Sequence, residues 1–394
     1  MDLHEYLEAL VAPGDVMPGA RLVGTSSEHG PRLIFELKGA RISVEVAPAD
    51  EAAGSPKKHA ARSERLLFSY RADGVLPIDS KLGAALCRAV AARAAAREKA
   101  ILAALEAETA RSSGSARLRE VRVTKLLEPD GAGFYYSLSP YVGCLIGCRF
   151  CYAEERIAGA RRLLHLAEAP WGSFVDVRVN AAEVLARELI ELPPLPVKFC
   201  PIVSDPYHAA EARFGITRAC LTALRDAPSP FPTLVLTRAR LIERDIDLLA
   251  AIPVAFAGAS IPTVDDEVRR HFEPRGAPID DRLGVLQKIG AAGVKTFAVV
   301  QPILPGPLEP LADALAGVIS SARVDVLNGV GKAEAEFSDE RYAMCRSDGW
   351  QMDRARMLRE MLSARGVQIW EGELPPELMG GVTRAETPPP RDSK

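Results

Sequence analysis

SPYVGCLIGCRFCYA, residues 139–153, sets Cys144, Cys148 and Cys151 at C-x3-C-x2-C spacing, with Tyr152 directly behind the last cysteine. Thiolates are soft ligands suited to iron–sulfur clusters, copper(I) or zinc. Gly143 and Gly147 let the backbone turn tightly around a bulky object. Three thiolates on a four-iron cubane leave one iron without a protein ligand, which favours a reactive cluster over a purely electron-carrying one. Two other readings stay open on spacing alone. Zinc needs a fourth ligand from elsewhere, such as His165 or Cys200. Three structural thiols on one helix face would also fit the spacing, although two glycines and Pro140 make a helix poor here.

Outward from this segment, short apolar runs alternate with amphipathic stretches from about 118 to 330. The runs are 133–139, 196–203, 233–238, 254–261, 294–301 and 324–328; the helical patterns between them are 181–192, 216–226, 243–251, 280–292 and 309–321. This alternation predicts parallel strands with crossover helices, and six strands in series predict a partial (β/α)6 TIM barrel. Such a barrel keeps its site at the C-terminal strand ends. The three cysteines follow the first strand, at that face.

Residues 1–110 read as an N-terminal α+β accessory domain. Arg32–Val46 alternates around Lys38-Gly39 as a β-hairpin, Arg65–Tyr70 is a strand, and Ser80 to Ala107 is an Ala-rich helix. A small polar linker, 109–117, precedes the barrel at 118–330. Residues 331–394 form a short C-terminal extension: a helix over Met352–Arg365 capped by Gly366, a strand at Val367–Trp370, and a frayed tail at Thr387–Lys394.

The composition is ordinary for a globular chain: 394 residues, 48% hydrophobic, 49 basic against 52 acidic side chains. A net charge of −3 weighs against a dedicated nucleic-acid coat. No apolar run reaches the roughly 20 residues that span a bilayer. The start, MDLHEYLEALV, lacks the basic n-region of a signal peptide, so a cytoplasmic location without membrane partners is expected. Seven cysteines, an odd number, then read as thiols or ligands rather than disulfides.

The C-x3-C-x2-C segment with its trailing aromatic resembles the signature of radical S-adenosylmethionine (SAM) enzymes. SDPYHAAEARFGITRACLTAL (204–224), TRARLIERDIDLL (237–249), FEPRGAPIDDRLGVLQKIGAAGV (272–294) and QPILPG (301–306) resemble the spore photoproduct lyase-like, or DNA repair photolyase-like, branch of that superfamily. The resemblance implies a barrel of radical SAM type holding a [4Fe–4S] cluster on Cys144, Cys148 and Cys151. S-adenosyl-L-methionine would bind the fourth iron and be cleaved reductively to a 5′-deoxyadenosyl radical that abstracts hydrogen from substrate. It implies SAM-binding roles for Tyr152 beside the adenine, for Ser204 and Asp205 as polar contacts, and for Arg238 on the carboxylate. It implies further roles for Ser260 at ribose or carboxylate and for Gln301 on the adenine side. Arg238 stands where the branch commonly has lysine. Glu273 and Arg275 belong to a branch motif that forms either a rim ion pair or a substrate contact.

The lyase's hydrogen-donating cysteine has Ile202 in its slot here, with Cys200 two residues earlier, about 6.6 Å along a strand. Cys200 and Tyr207 are the candidate hydrogen donors. The displaced cysteine and the added N-terminal domain favour a peptide, protein or metabolite substrate; a DNA photoproduct is the alternative. A non-catalytic iron–sulfur redox or binding protein is the alternative of another class. An electron donor such as flavodoxin or ferredoxin is implied by the chemistry.

Overall fold

The computed structural model describes residues 2–27, 30–49, 61–73, 79–111, 118–130, 133–199, 202–327 and 333–378. The N-terminal module opens with α1 (Leu3–Val11), whose start carries a reciprocal cap between Asp2 and Glu5. Strands β1 (Ala20–Ser26), β2 (Arg32–Leu37), β3 (Ala40–Pro48), β4 (Ala61–Arg62) and β5 (Leu66–Asp73) form an antiparallel sheet in the order β1-β2-β3-β5-β4. The sequence-predicted hairpin is β2–β3. Leu37 pairs with Ala40 across a two-residue turn in which Lys38 and Gly39 have φ +52° and +76°. Two positive φ values give the turn that matches strand twist. The long helix α2 (Ser80–Arg111) packs Leu86, Val90 and Ala94 with α1 and the sheet's apolar face.

A small sheet that the sequence pattern did not reveal follows. Its strands are β6 (Leu118–Val121), β9 (Tyr141–Val142) and β10 (Val175–Arg178), in the order β6-β10-β9. Two- to four-residue strands carry too little alternation to be read from sequence. Between them lie β7 (Leu127–Pro129) and β8 (Tyr136–Leu138), and then α3 (Ala153–Leu163), which begins directly behind the cysteine segment.

The barrel then follows the expected alternation. It runs α4 (Ala181–Glu191), β11 (Val197–Phe199), α5 (Glu211–Phe214), α6 (Ile216–Arg225), β12 (Thr233–Thr237), α7 (Ile246–Ala251), β13 (Ala255–Ser260), α8 (Asp266–Phe272), α9 (Ile279–Ala291), β14 (Lys295–Val300), α10 (Leu308–Ala316) and β15 (Ser321–Val324). α11 (Glu334–Phe337), α12 (Asp348–Ala364) and β16 (Gln368–Ile369) complete the described chain. The sheet order is β16-β15-β14-β13-β12-β11-β8-β7, parallel from β16 through to β8, with β7 antiparallel at the edge. This is the partial TIM barrel, lengthened at both edges.

The sixth strand corrects the sequence reading: it occupies 321–324, not 324–328. α10 stops at Ala316, and the Val318 and Ile319 amides turn back onto the Leu315 carbonyl, so the helical pattern ends earlier than its apolar residues suggest. The C-terminal extension is built into the barrel rather than appended to it. α12 buries Ala355, Leu358 and Leu362 in the same apolar layer as Leu311 and Leu315 of α10, and β16 adds a parallel strand. The expected tail at 387–394 lies outside the described residues. No described helix is long and apolar enough to cross a membrane.

The N-terminal module is fastened to the barrel by a buried polar knot. His4 places Nε2 2.9 Å from Glu128 Oε1 and Nδ1 2.8 Å from Thr25 Oγ1, while the Ser27 amide donates to Glu128 Oε2 at 2.8 Å. Burial raises the Glu128 pKa, but His4 and Arg178 outweigh it and hold the carboxyl at about 2. Burial opposes charge on His4 too, yet Glu128 wins and the imidazole pKa ends above its usual 6.5. Glu128→Gln should therefore cost about 3 kcal/mol of stability, read by urea denaturation near pH 6. In the native protein the pair's contribution should fade as pH rises through the elevated His4 pKa. It should fade again as pH falls from 4.5 towards 2, when Glu128 protonates.

Candidate functional site

Strand alternation builds a lumen inside the barrel. On β12, Leu234 and Leu236 face it while Val235 joins the layer under the helices. On β14, Phe297 and Val299 face it while Ala298 and Val300 turn outward. The resulting cavity of about 300 Å³ extends from Cys148, Cys151 and Tyr152 down to Lys198, Trp370 and Glu373.

The cysteine segment caps one side of this lumen. Its first turn is tied to the end of β11: the Gly143 amide donates to the Val203 carbonyl at 3.1 Å and Ser204 Oγ donates to the Gly143 carbonyl at 2.5 Å. Gly147 takes φ +63° where the loop passes Gly172, and the Arg275 guanidinium lies against both. A Cβ on Gly147 would stand 2.5 Å from Arg275 Nη2 and 2.9 Å from Gly172 Cα. Cys144, Cys148 and Cys151 line one hollow with Ser204, Asp205 and Arg238.

Among the described residues, no three His, Cys, Asp or Glu side chains converge as the ligands of a single ion would. The thiols instead surround the hollow. That arrangement suits a multi-iron cluster, in which each thiolate takes a different iron. His165, the alternative zinc ligand, lines a separate cavity against the N-terminal module. Burial pushes the Cys144 thiol up to about 12 and Cys148 well above its usual value, so both stay protonated until a metal displaces the proton.

A ring of charge fixes the strand ends beneath the cysteines. Glu273, fully buried, pairs with Arg238 Nε at 2.6 Å on one side and Arg282 Nη2 at 2.6 Å on the other. The Arg282 contact is an ion pair rather than an aligned hydrogen bond. Arg282 also donates to the Ser260 carbonyl at 2.7 Å, and the Arg238 amide donates to Asp205 Oδ2 at 2.7 Å. The ends of β11, β12 and β13 are thereby linked. Burial favours a neutral Glu273, but Arg282 and Arg238 together hold its pKa below the usual value.

The structure sorts the sequence-predicted residues into three groups. Tyr152, Arg238, Ser260 and Gln301 line the lumen with Cys148 and Cys151. Glu273 holds the Nε edge of Arg238, the cation that the resemblance assigns to the SAM carboxylate. Ser204 and Asp205 lie under the cysteine segment rather than in the lumen. Asp205 uses Oδ1 on Thr237 Oγ1 (2.6 Å) and the Tyr207 amide (2.8 Å), so it braces strand ends instead of presenting a free contact. Tyr207, the other candidate hydrogen donor, packs among the helix-side residues beside the buried Asp245, outside the lumen lining. Cys200 lies outside the described residues. Glu273 makes the rim ion pair of the branch motif with Arg238 and Arg282; Arg275 stays exposed over the glycines.

Sequence reasoning missed Lys198, Arg323, Trp370 and Glu373, all lining the lumen. Lys198 had a signal: a single charge in the apolar strand PVKF, at the parity that faces the interior. Trp370 and Glu373 had none, because their place depends on β16 joining the sheet.

Two substitutions test this geometry. Gly147→Ala should lower the iron and sulfide bound per chain after anaerobic reconstitution, whereas Gly293→Ala, also at positive φ but with open space around it, should not. Glu273→Gln strands two buried guanidinium groups and should cost about 3–5 kcal/mol in chemical denaturation.

Residues 138–315 match the family model of the Radical SAM superfamily, which takes in the cysteine segment and barrel strands through β14. An uncharacterized protein of Mycobacterium tuberculosis is 32% identical over 181 residues, 44% of this chain and 50% of that one. The radical SAM Nalpha-GlyT isomerase of Pseudomonas phage M6 is 24% identical over 168 residues, 42% of this chain and 33% of that one. A solved spore photoproduct lyase superposes with a TM-score of 0.48 at 17% identity, covering 64% of this chain and 81% of that chain. The chain thus spans half or less of the length of these two curated relatives. With the three cysteines set at the mouth of a partial barrel and the family match running across both, residues 138–315 carry a domain of the Radical SAM superfamily.

Proposed function

We propose that the chain is a radical SAM enzyme of the spore photoproduct lyase-like branch, acting on a peptide or protein side chain or on a small metabolite. One observation carries this reading: the cysteine hollow and the barrel lumen share Cys148, Cys151 and Arg238 in their walls, so a cluster in the first would face a molecule in the second. The branch assignment rests on the motifs at 204–224, 237–249, 272–294 and 301–306. A [4Fe–4S] cluster bound there would supply the electron that splits S-adenosyl-L-methionine into methionine and a 5′-deoxyadenosyl radical, which takes a hydrogen atom from substrate to give 5′-deoxyadenosine.

The chain's own residues hold, orient and enclose. Cys144, Cys148 and Cys151 supply three thiolates. Arg238 sets a fixed positive charge beside Cys148 and Cys151, kept in place by Glu273 and lying 5.6 Å from the Phe150 ring centroid. Tyr152 presents a ring whose face carries the Arg156 guanidinium at 4.5 Å, a flat surface suited to an adenine. Gln301 offers amide donors and an acceptor at the end of β14, while Ser260 at the end of β13 is buried with its hydroxyl donating to the Val299 carbonyl at 3.3 Å.

At about 300 Å³ the cavity sits at the low end of small-ligand pockets, which favours a compact substrate group beside SAM. The arginines behind the cysteine segment also disfavour a DNA surface. Arg156 lies on Tyr152, while Arg161 lies 4.0 Å over Phe174 and donates to the Ala167 carbonyl at 2.6 Å. A one-electron donor of flavodoxin or ferredoxin type completes the reaction.

The test is anaerobic reconstitution with iron and sulfide, reduction with dithionite, addition of SAM and assay of 5′-deoxyadenosine. The wild type should form it and Cys148→Ala should fall to background. A loaded cluster whose electron paramagnetic resonance signal SAM leaves unchanged, with no 5′-deoxyadenosine, would sink the enzyme reading in favour of a redox or binding role.

A further inference from the structure

Where the N-terminal module meets the end of α3, a cleft of about 500 Å³ opens, and it shares no described lining residue with the barrel lumen. Its size suits a small ligand or one side chain with its flanking backbone. Leu66 from β5, Ile101 from α2, and Leu163 and Leu166 from the end of α3 and the turn behind it supply apolar walls. Glu64, Arg65 and His165 are exposed and Arg162 is half-buried, so the outer part of the cleft carries charges of both signs.

Two polar groups stand within these apolar walls. Glu98 on α2 is 8% exposed and Tyr6 on α1 is 4% exposed. Glu98 Oε1 accepts from Ser63 Oγ at 2.5 Å, which leaves Oε2 without a partner among the described residues. The Tyr6 hydroxyl likewise has none. Both residues line the cleft, and neither atom is sealed inside the protein as the orphan Tyr207 hydroxyl and Trp370 indole nitrogen are. Burial and the neighbouring Glu98 carboxylate raise the Tyr6 pKa, so the phenol stays neutral beside it. A carboxylate in apolar surroundings calls for a cation. An ammonium puts three donors on a compact head and so meets one carboxylate oxygen and one hydroxyl oxygen. The fork of a guanidinium matches both oxygens of a carboxylate, and Ser63 already occupies one of these. An aliphatic stem below the ammonium matches the leucine walls.

We propose that this cleft takes a lysine side chain of a peptide or protein substrate, with Glu98 and Tyr6 holding its ammonium and the leucines lining its stem. The proposal deepens the peptide reading above and rests on it only in calling the ligand the substrate. The cleft is set apart from the reacting end by the length of one helix. α3 begins directly behind Cys151 and Tyr152 and ends at the cleft, 11 residues later, a length of about 16 Å. An extended chain covers about 3.3 Å per residue, so the anchored lysine lies at least about five residues from the residue that is modified. The N-terminal module then holds the peptide while the barrel acts on it.

The test uses anaerobic, cluster-loaded protein with no reductant and no SAM, and reads binding by saturation-transfer NMR of the ligand. The probes are N-acetyl-lysine methylamide, its norleucine counterpart, which keeps the stem and lacks the ammonium, and free lysine. The lysine derivative should bind saturably and the norleucine derivative roughly tenfold more weakly. Glu98→Gln, which keeps an acceptor for Ser63, should weaken the lysine derivative roughly tenfold and leave the norleucine derivative where it was. Tyr6→Phe should weaken the lysine derivative several-fold, again without moving the other. A merely structural role of either residue would move both derivatives alike. No saturable binding of the lysine derivative, equal binding of the two derivatives, or equal changes for both in the variants overturns the proposal. Binding of free lysine without the blocked derivative overturns the assignment to a peptide. Since the signal needs no radical chemistry, it fails independently of 5′-deoxyadenosine formation.

Discussion

The buried carboxylate of Glu273 between Arg238 and Arg282 is the constraint on which the site depends. A pair of buried charges adds little net stability, because desolvation offsets most of the attraction. Its effect is positional. Arg238 extends from the end of β12, Arg282 binds the carbonyl at the end of β13, and Asp205 after β11 takes the Arg238 amide. Arg238 Nη2 also lies 3.4 Å from the Gln301 carbonyl past β14. Four neighbouring strand ends are thus held in one arrangement, and Cys148 rests on it beside a cation that cannot swing away. Gly276 allows this closeness, since a Cβ there would meet Arg282 Nη2 at 2.4 Å.

The lumen divides its work along its length. The cysteine end gathers thiols, a fixed cation and short polar side chains on strand ends. The far end gathers donors and one carboxylate from segments that meet only when the sheet is complete. Between them the walls are aliphatic and aromatic, which places a water-poor stretch where a reactive intermediate would have to survive.

Much of this was legible in the sequence, for definite physical reasons. The barrel strands were visible because apolar runs buried on both faces contrast with amphipathic helices. The cysteine segment was visible because ligand spacing is local. Lys38-Gly39 was visible because the turn needs positive φ at two positions. What escaped was non-local. Asp205 and Tyr207 stand beside each other in the chain motif, yet one braces strand ends and the other packs behind the sheet. The pairing of Arg238 was hidden because its partner lies 35 positions further on. Trp370 and Glu373 carry no local mark at all, and β16, which delivers them, is two residues long.

The apolar core of the N-terminal module does not stop at the module. It takes in Ala160, Leu163 and Leu164 at the end of α3, the helix that starts directly behind Cys151 and Tyr152. During synthesis the module's sheet and helices leave the ribosome first and present an open apolar bed. The helix behind the cysteine segment follows in the chain after β6 to β9 and precedes β12 to β16, and its bed is already complete in the residues before it. The outer half of the cofactor cradle is therefore a product of the first third of the chain. A barrel released from that third would carry a bare apolar stripe beside its cysteine segment.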